Sequence, residues 1–145
     1  MNILACLLLT FSSFLVTHGG RTKTPPTYFT SWGTLKCLRP IYWCFFVSYM
    51  ERDIWTYDDR IDFLGVRCTR DKDYPFVLKG WQYGDEQLSH NFTVSLEVTS
   101  NCTEDGTIKM LETDRIEAPL DSRHVEFNRT IDLTTDTGIQ VPKYH

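Results

Sequence analysis

The chain predicts an all-β fold, a two-sheet antiparallel sandwich of about seven strands. Three observations predict it. No apolar stripe of helical period runs for a useful length through the 145 residues. Short runs of period two recur instead, separated by turn residues about every ten positions, the spacing of sandwiches and barrels. One run, Phe92, Val94, Leu96 and Val98 against Thr93, Ser95, Glu97 and Thr99, alternates cleanly, which is one-sided burial in an antiparallel sheet.

Residues 33–37 form the first expected strand, broken by Arg39-Pro40, and residues 44–51 the second. A loop over 52–60 holds Asp53, Trp55, Tyr57, Asp58 and Asp59. Residues 61–68 make a third strand, Asp71-Lys72-Asp73 a turn, 76–80 a fourth strand, and 81–90 a connection. The fifth is 92–99, the sixth 107–111, and the seventh 125–133, with Val125, Phe127, Ile131 and Leu133 inward. Arg129 shares that inward parity, which places it at the sandwich end or beside an acid.

Residues 1–16 are apolar, and residues 1–20 lack Asp, Glu, Lys and Arg. The apolar run 1–16 passes into Thr17-His18-Gly19-Gly20 and reads as a secretory signal peptide, too short and too broken by Ser to span a bilayer, with a short membrane anchor as the alternative. Residues 21–31, with Pro25-Pro26 and no apolar period, read as a linker. The folded domain is expected over 32–133 and a flexible polar tail over 134–145. Fifteen basic against nineteen acidic residues give a net charge of −4, so no basic excess exists to hold nucleic acid by phosphate neutralisation. An apolar content of 41% is too high for disorder.

Beyond the signal, Cys37, Cys44, Cys68 and Cys102 remain, an even count in a secreted chain, and the default is two disulfides. None has the paired Cys-x-x-Cys or His neighbours of a zinc site, and no metal or cofactor is expected. Cys37 shares parity with Leu35 and points inward, as Cys102 does, so these two form the first expected bond, closing a loop worth about 4 kcal/mol in the chain-entropy model. Cys44 and Cys68 are left for each other, across a hairpin of the second and third strands. A Cys37–Cys44 or Cys68–Cys102 pairing remains open. Both faces of that hairpin are apolar, so it is covered on both sides or one face meets a partner.

Every Asn beyond residue 20 heads an Asn-x-Thr triplet: Asn91-Phe92-Thr93, Asn101-Cys102-Thr103 and Asn128-Arg129-Thr130. Strand parity puts Asn91, Asn101 and Asn128 on wet faces, and they read as glycosylation acceptors of an extracellular protein.

Several segments carry a resemblance in order and spacing. Gly33-Thr34-Leu35-Lys36-Cys37 precedes Pro40 and then Phe45-Phe46-Val47-Ser48-Tyr49-Met50-Glu51. Asp71-Lys72-Asp73-Tyr74-Pro75-Phe76 comes after it, with Leu78 and Gly80. Next come Leu96-Glu97-Val98-Thr99-Ser100-Asn101-Cys102, Ile116-Glu117-Ala118-Pro119 and the closing run 127–133. On these the chain resembles the nematode transthyretin-like family of secreted proteins over about 32–133. It departs at Tyr74, where the family has Gly, at Ser100, where it has His, at Pro40, one place early, and in the additional Cys44 and Cys68. The resemblance implies a prealbumin-like β-sandwich, secretion and a Cys37–Cys102 bond. At least one member of that family recognises phosphatidylserine on dying cells.

The expected function is that of a secreted extracellular binding protein whose partner is a lipid, a cell surface or a host protein. The candidate binding loop carries Trp55 and Tyr57, because aromatics flanked by charges offer large contact area at low side-chain entropy. No enzyme is expected. His90, His124 and His145 lie in or beside polar loops without a positioned partner, and oxidised cysteines offer no thiol nucleophile. The related hydroxyisourate hydrolases need a Tyr-Arg-Gly-Ser terminus, whereas this sequence reads Val141-Pro142-Lys143-Tyr144-His145. Asp53, Asp58, Asp59 and Asp62 lack the regular spacing of a Ca²⁺ loop. The alternative is a small-molecule carrier or hydroxyisourate-hydrolase-like enzyme that uses a groove between subunits.

Overall fold

The computed structural model describes residues 25–53, 57–83, 90–135 and 138–141. The expected signal peptide 1–20, Trp55 and His145 lie outside them. The described residues form nine strands: β1 (Thr27–Lys36), β2 (Trp43–Glu51), β3 (Asp59–Thr69), β4 (Asp73–Gln82), β5 (Asn91–Ser100), β6 (Lys109–Glu112), β7 (Ile116–Pro119), β8 (His124–Asp132) and β9 (Ile139–Gln140). The described residues contain no helix.

The strands form two sheets. The smaller has the order β4-β1-β8, and the larger has the order β3-β2-β5-β6-β9, with β7 also pairing β5. The expected all-β, two-sheet sandwich is therefore the observed class. Two details differ. Nine strands replace about seven, because β7 and β9 are too short to show a period of their own. One pair, β1 with β8, runs parallel, while the remaining pairings are antiparallel. The linker also ends earlier than expected, since β1 begins at Thr27, and the tail 134–145 contributes β9.

The core lies between the sheets. Phe29 and Leu35 of β1, Phe76 and Leu78 of β4, and Val125 and Ile131 of β8 face Trp43, Phe45, Val47 and Tyr49 of β2 and Phe92, Val94, Leu96 and Val98 of β5. Phe29 meets Phe92 and Tyr49 edge-on, with centroids 5.1 and 6.0 Å apart, and Tyr49 meets Phe127 at 5.4 Å. These are the offset geometries that ring quadrupoles favour. Burial pushes the Tyr49 hydroxyl well above the ordinary tyrosine range, so it stays protonated.

Two devices close the sandwich. At one edge β3 meets β4. The Lys79 amide donates to Asp62 Oδ2 at 2.7 Å, and a Cβ on Gly80 would stand 2.5 Å from the Ile61 carbonyl oxygen. Gly33 does the same inside the small sheet, where a Cβ would fall 1.7 Å from the carbonyl oxygen of Arg129, its partner on β8. The second device is covalent. Cys37, just past β1, is bonded to Cys102, just past β5, and both are fully buried, as their parity predicts. Cys44 and Cys68 are direct partners across β2 and β3 and form the second bond.

Candidate functional site

Two surfaces, one on the outer face of each sheet, carry the side chains that a core does not need. On the large sheet, β2 leaves Cys44, Phe46 and Met50 part-exposed on the side away from the core. The apolar hairpin noted in the sequence is thereby resolved: its inner face belongs to the core, and its outer face is part-exposed, most at Phe63 and Val66 of β3. Phe46 lies 5.9 Å from Phe63 of β3. Beside them is a cleft of about 290 Å³ lined by Cys44, Phe46, Val66, Thr99, Asn101 and Ile108. Val66 is 66% exposed and Ile108 50%. No side chain named in that lining is charged, so the cleft is suited to a hydrocarbon group. Its floor is fixed by the Cys44–Cys68 bond and by Asn101, whose Oδ1 accepts from the Cys44 amide at 2.7 Å.

Further along the same face the chemistry becomes ionic. Arg52, at the end of β2, is nearly buried and is the centre of a cluster. Its Nε donates to Ser95 Oγ at 2.9 Å, one terminal nitrogen to Asp58 Oδ2 at 2.5 Å and the other to Glu97 Oε1 at 2.6 Å. Glu112 Oε1 stands 3.3 Å from Arg52 Nε and 3.0 Å from Arg115 Nε. Burial works to lower the Arg52 pKa, but the bonds to Glu97 and Asp58 outweigh it and the group titrates above its ordinary value. Burial likewise works to raise the pKa of Asp58; the bonds from Arg52 and the Asp53 amide outweigh it and hold the carboxyl below the ordinary range. The cluster pins both ends of the loop between β2 and β3. Tyr57 projects from that loop at 95% exposure. Trp55, the other expected binding residue, lies outside the described residues.

The acids weighed for Ca²⁺ have separate engagements. Asp58 serves Arg52, Asp59 accepts from Gln82 Nε2 at 3.1 Å, and Asp62 caps the Lys79 amide. Among the described residues no group of three or more His, Cys, Asp or Glu side chains could hold a metal ion. In the turn between β5 and β6, Asp105 accepts from the Thr107 hydroxyl at 2.6 Å and the Thr107 amide at 2.9 Å, bonds that hold its carboxyl down to about 2.

The second surface is the outer face of β4-β1-β8. Register aligns its outward side chains in rows: Trp81, Tyr28 and His124; Lys79, Thr30 and Glu126; Val77, Trp32 and Asn128. Tyr28, Val77 and Trp81 are each more than half exposed, and Trp32 is about a third exposed. Tyr28 stacks on His124 at 5.6 Å, and Trp81 meets Tyr83 edge-on at 5.2 Å. This face is not legible in the sequence, because Tyr28 falls in the expected linker and Trp81 in a connection.

The glycosylation candidates occupy three different settings. Asn128 is exposed on this aromatic face, as is Thr130 of its triplet. Asn91 is half-buried at the start of β5, where its Nδ2 donates to Glu117 at 3.3 Å, and Asn101 is half-buried at the cleft floor. Arg129 is half-buried and lies 5.9 Å from the Phe127 ring, in the edge strand of the small sheet.

Fold and surfaces together define a small all-β domain with two disulfides, an apolar cleft on one sheet and an aromatic face on the other. Residues 33–138 match the model of a family described as Caenorhabditis elegans protein of unknown function (DUF870), and the chain belongs to that family. A nematode family is what the resemblance implied. No curated protein and no solved structure matches the chain. No helix of the described residues is long and apolar enough to cross a membrane.

Proposed function

We propose that the protein is an extracellular binding protein that takes a hydrocarbon segment of a lipid into the cleft beside the Cys44–Cys68 bond and releases its ligand unchanged. The observation that carries this reading is the cleft itself: about 290 Å³, lined by Phe46, Val66 and Ile108, with Phe63 exposed beside it. That volume is close to the lower bound of ligand pockets, about 300 Å³, and suits one alkyl chain rather than a folded polar metabolite. Two disulfides in a small β domain fit an oxidising, extracellular compartment. The transthyretin-like resemblance supports the same compartment and a prealbumin-like sandwich. The net charge of −4 gives no general attraction to an anionic membrane, so recognition rests on the chain rather than the headgroup.

The test uses the full secreted, disulfide-intact protein and a fluorescent polyene fatty acid. Saturable binding is expected, weakened at least tenfold by Val66→Asp or Ile108→Asp, with an unchanged circular dichroism spectrum. Phosphatidylserine vesicles are expected to bind no better than phosphatidylcholine vesicles. Absence of saturable fatty-acid binding by the wild-type protein, or full binding by both aspartate variants, overturns the reading.

A further inference from the structure

The outer face of the small sheet exposes two apolar pairs, Trp81 with Tyr28 and Val77 with Trp32. The row Lys79, Thr30 and Glu126 separates these two pairs, so each is a small apolar strip within a polar surface, and exposed aromatic area of this kind is contact material. Among the described residues the face also adjoins a free edge, because β8 is the last strand in the order β4-β1-β8. An unpaired edge strand is a template for another chain and is normally blunted by charge, bulk or cover.

Asn128 stands at the middle of that edge strand. It is the direct register partner of Trp32, whose other neighbour is Val77. Its triplet, Asn128-Arg129-Thr130, places the amide and the Thr130 hydroxyl on the same exposed face, two residues apart. Adjacent strands lie about 4.8 Å apart, so a group attached to Asn128 Nδ2 starts within contact range of the Trp32 indole. The other two candidates differ. Asn91 donates to Glu117, Asn101 is tied into the cleft floor, and neither has an aromatic residue as its register partner.

We propose that Asn128 carries an N-linked glycan whose first N-acetylglucosamine units lie on Trp32 and Val77, covering the aromatic face and blunting the β8 edge. The proposal rests on the extracellular reading. The donor is a lipid-pyrophosphate-linked oligosaccharide. The bond between its anomeric carbon and the pyrophosphate oxygen breaks, a bond from that carbon to Asn128 Nδ2 forms, and one amide proton is lost as the lipid pyrophosphate leaves. The weakly positive C–H groups on one face of the sugar then meet the negative face of the indole. Thr30, Glu126 and Lys79, in the adjacent row, offer hydrogen bonds to its hydroxyls.

The experiment compares full-length protein from a secretory eukaryotic host with Asn128→Gln and Thr130→Ala, each of which removes the acceptor triplet. Peptide-level mass spectrometry reads occupancy, and hydroxyl-radical footprinting reads Trp32, with the exposed Tyr57 as internal reference. Asn128 is expected to be occupied, and Trp32 to oxidise at least threefold more slowly in the glycoform than in either variant. Should a variant fail to be secreted, enzymatic removal of the glycan from folded wild-type protein supplies the same comparison. An unoccupied Asn128, or equal oxidation of Trp32 with and without its glycan, overturns the proposal. Occupancy at Asn91 or Asn101 alone refutes this inference and leaves the extracellular reading standing. A chain secreted without any glycan refutes this inference, and retention of the chain inside the cell refutes both.

Discussion

Arg52→Met tests the reasoning about the outer face of the large sheet most directly, since it keeps the volume and removes the charge and the donors. Three donated bonds are lost, to Ser95, Asp58 and Glu97. Bonds to charged groups contribute about 1.5–3 kcal/mol each. The sum must be discounted, because the Asp58 and Glu97 side chains are 39% and 26% exposed and water replaces part of what they lose. The expected destabilisation is about 3 kcal/mol, in line with the loss of one partner from a buried ion pair. In urea, with disulfides intact and a slope of about 2 kcal/mol/M, the midpoint falls by about 1.5 M. The sign of the pH dependence is set by Asp58, whose pKa is depressed in the fold. Its contribution is present above the unfolded value, near 4, and is lost as pH falls through the lower folded value. The gap between wild type and variant is therefore full at pH 7 and narrows below about pH 4. A gap under about 1 kcal/mol at pH 7, or one unchanged at pH 2, refutes the account of the cluster.

Gly33→Ala is expected to cost about 3 kcal/mol or more, since its Cβ would fall on the Arg129 carbonyl and push β8 from β1. Gly65→Ala, where the nearest atom is the end of the Arg67 side chain at 3.9 Å, is the control, and thermal unfolding reads both. Non-reducing peptide mapping is expected to recover Cys37–Cys102 and Cys44–Cys68. Replacing each pair by Ser is expected to cost about 4 and about 3.5 kcal/mol respectively, because the first closes the longer loop.

How much of the fold the sequence reveals depends on whether hydrophobicity and facing agree. In β5 they agree: Phe92, Val94, Leu96 and Val98 are buried, and the alternation can be read at sight. In the first half of β1 they are inverted. Thr27 and Ser31 point inward while Tyr28 and Trp32 point outward, so a period-two reading finds no strand and yields a linker. Parity is ambiguous at Cys68 because the pairing of β3 with β2 shifts twice, after Phe45 and again after Tyr49. Each extra residue reverses the facing of the rest of its strand. The parallel pairing of β1 with β8 has no local signature at all. Nor does the role of Arg52, whose partners Asp58, Glu97 and Glu112 come from a loop and two other strands.

That parallel pair has a consequence for the order in which the molecule can assemble. β1 is made early, and β4 is available to it long before β8, whose neighbouring contact from Leu38 to Thr134 spans 96 residues. Until β8 is made, the small sheet is only the two-stranded ribbon of β1 and β4, and such a ribbon is marginal in water on its own. The small sheet becomes complete when the last long strand leaves the ribosome, and the loop that must then close is among the longest in the chain. Folding dominated by such distant pairings runs on the slow, millisecond-to-second scale. The Asn128 triplet lies in β8, so it stays unpaired with β1 and accessible to modifying enzymes until the step that completes the small sheet.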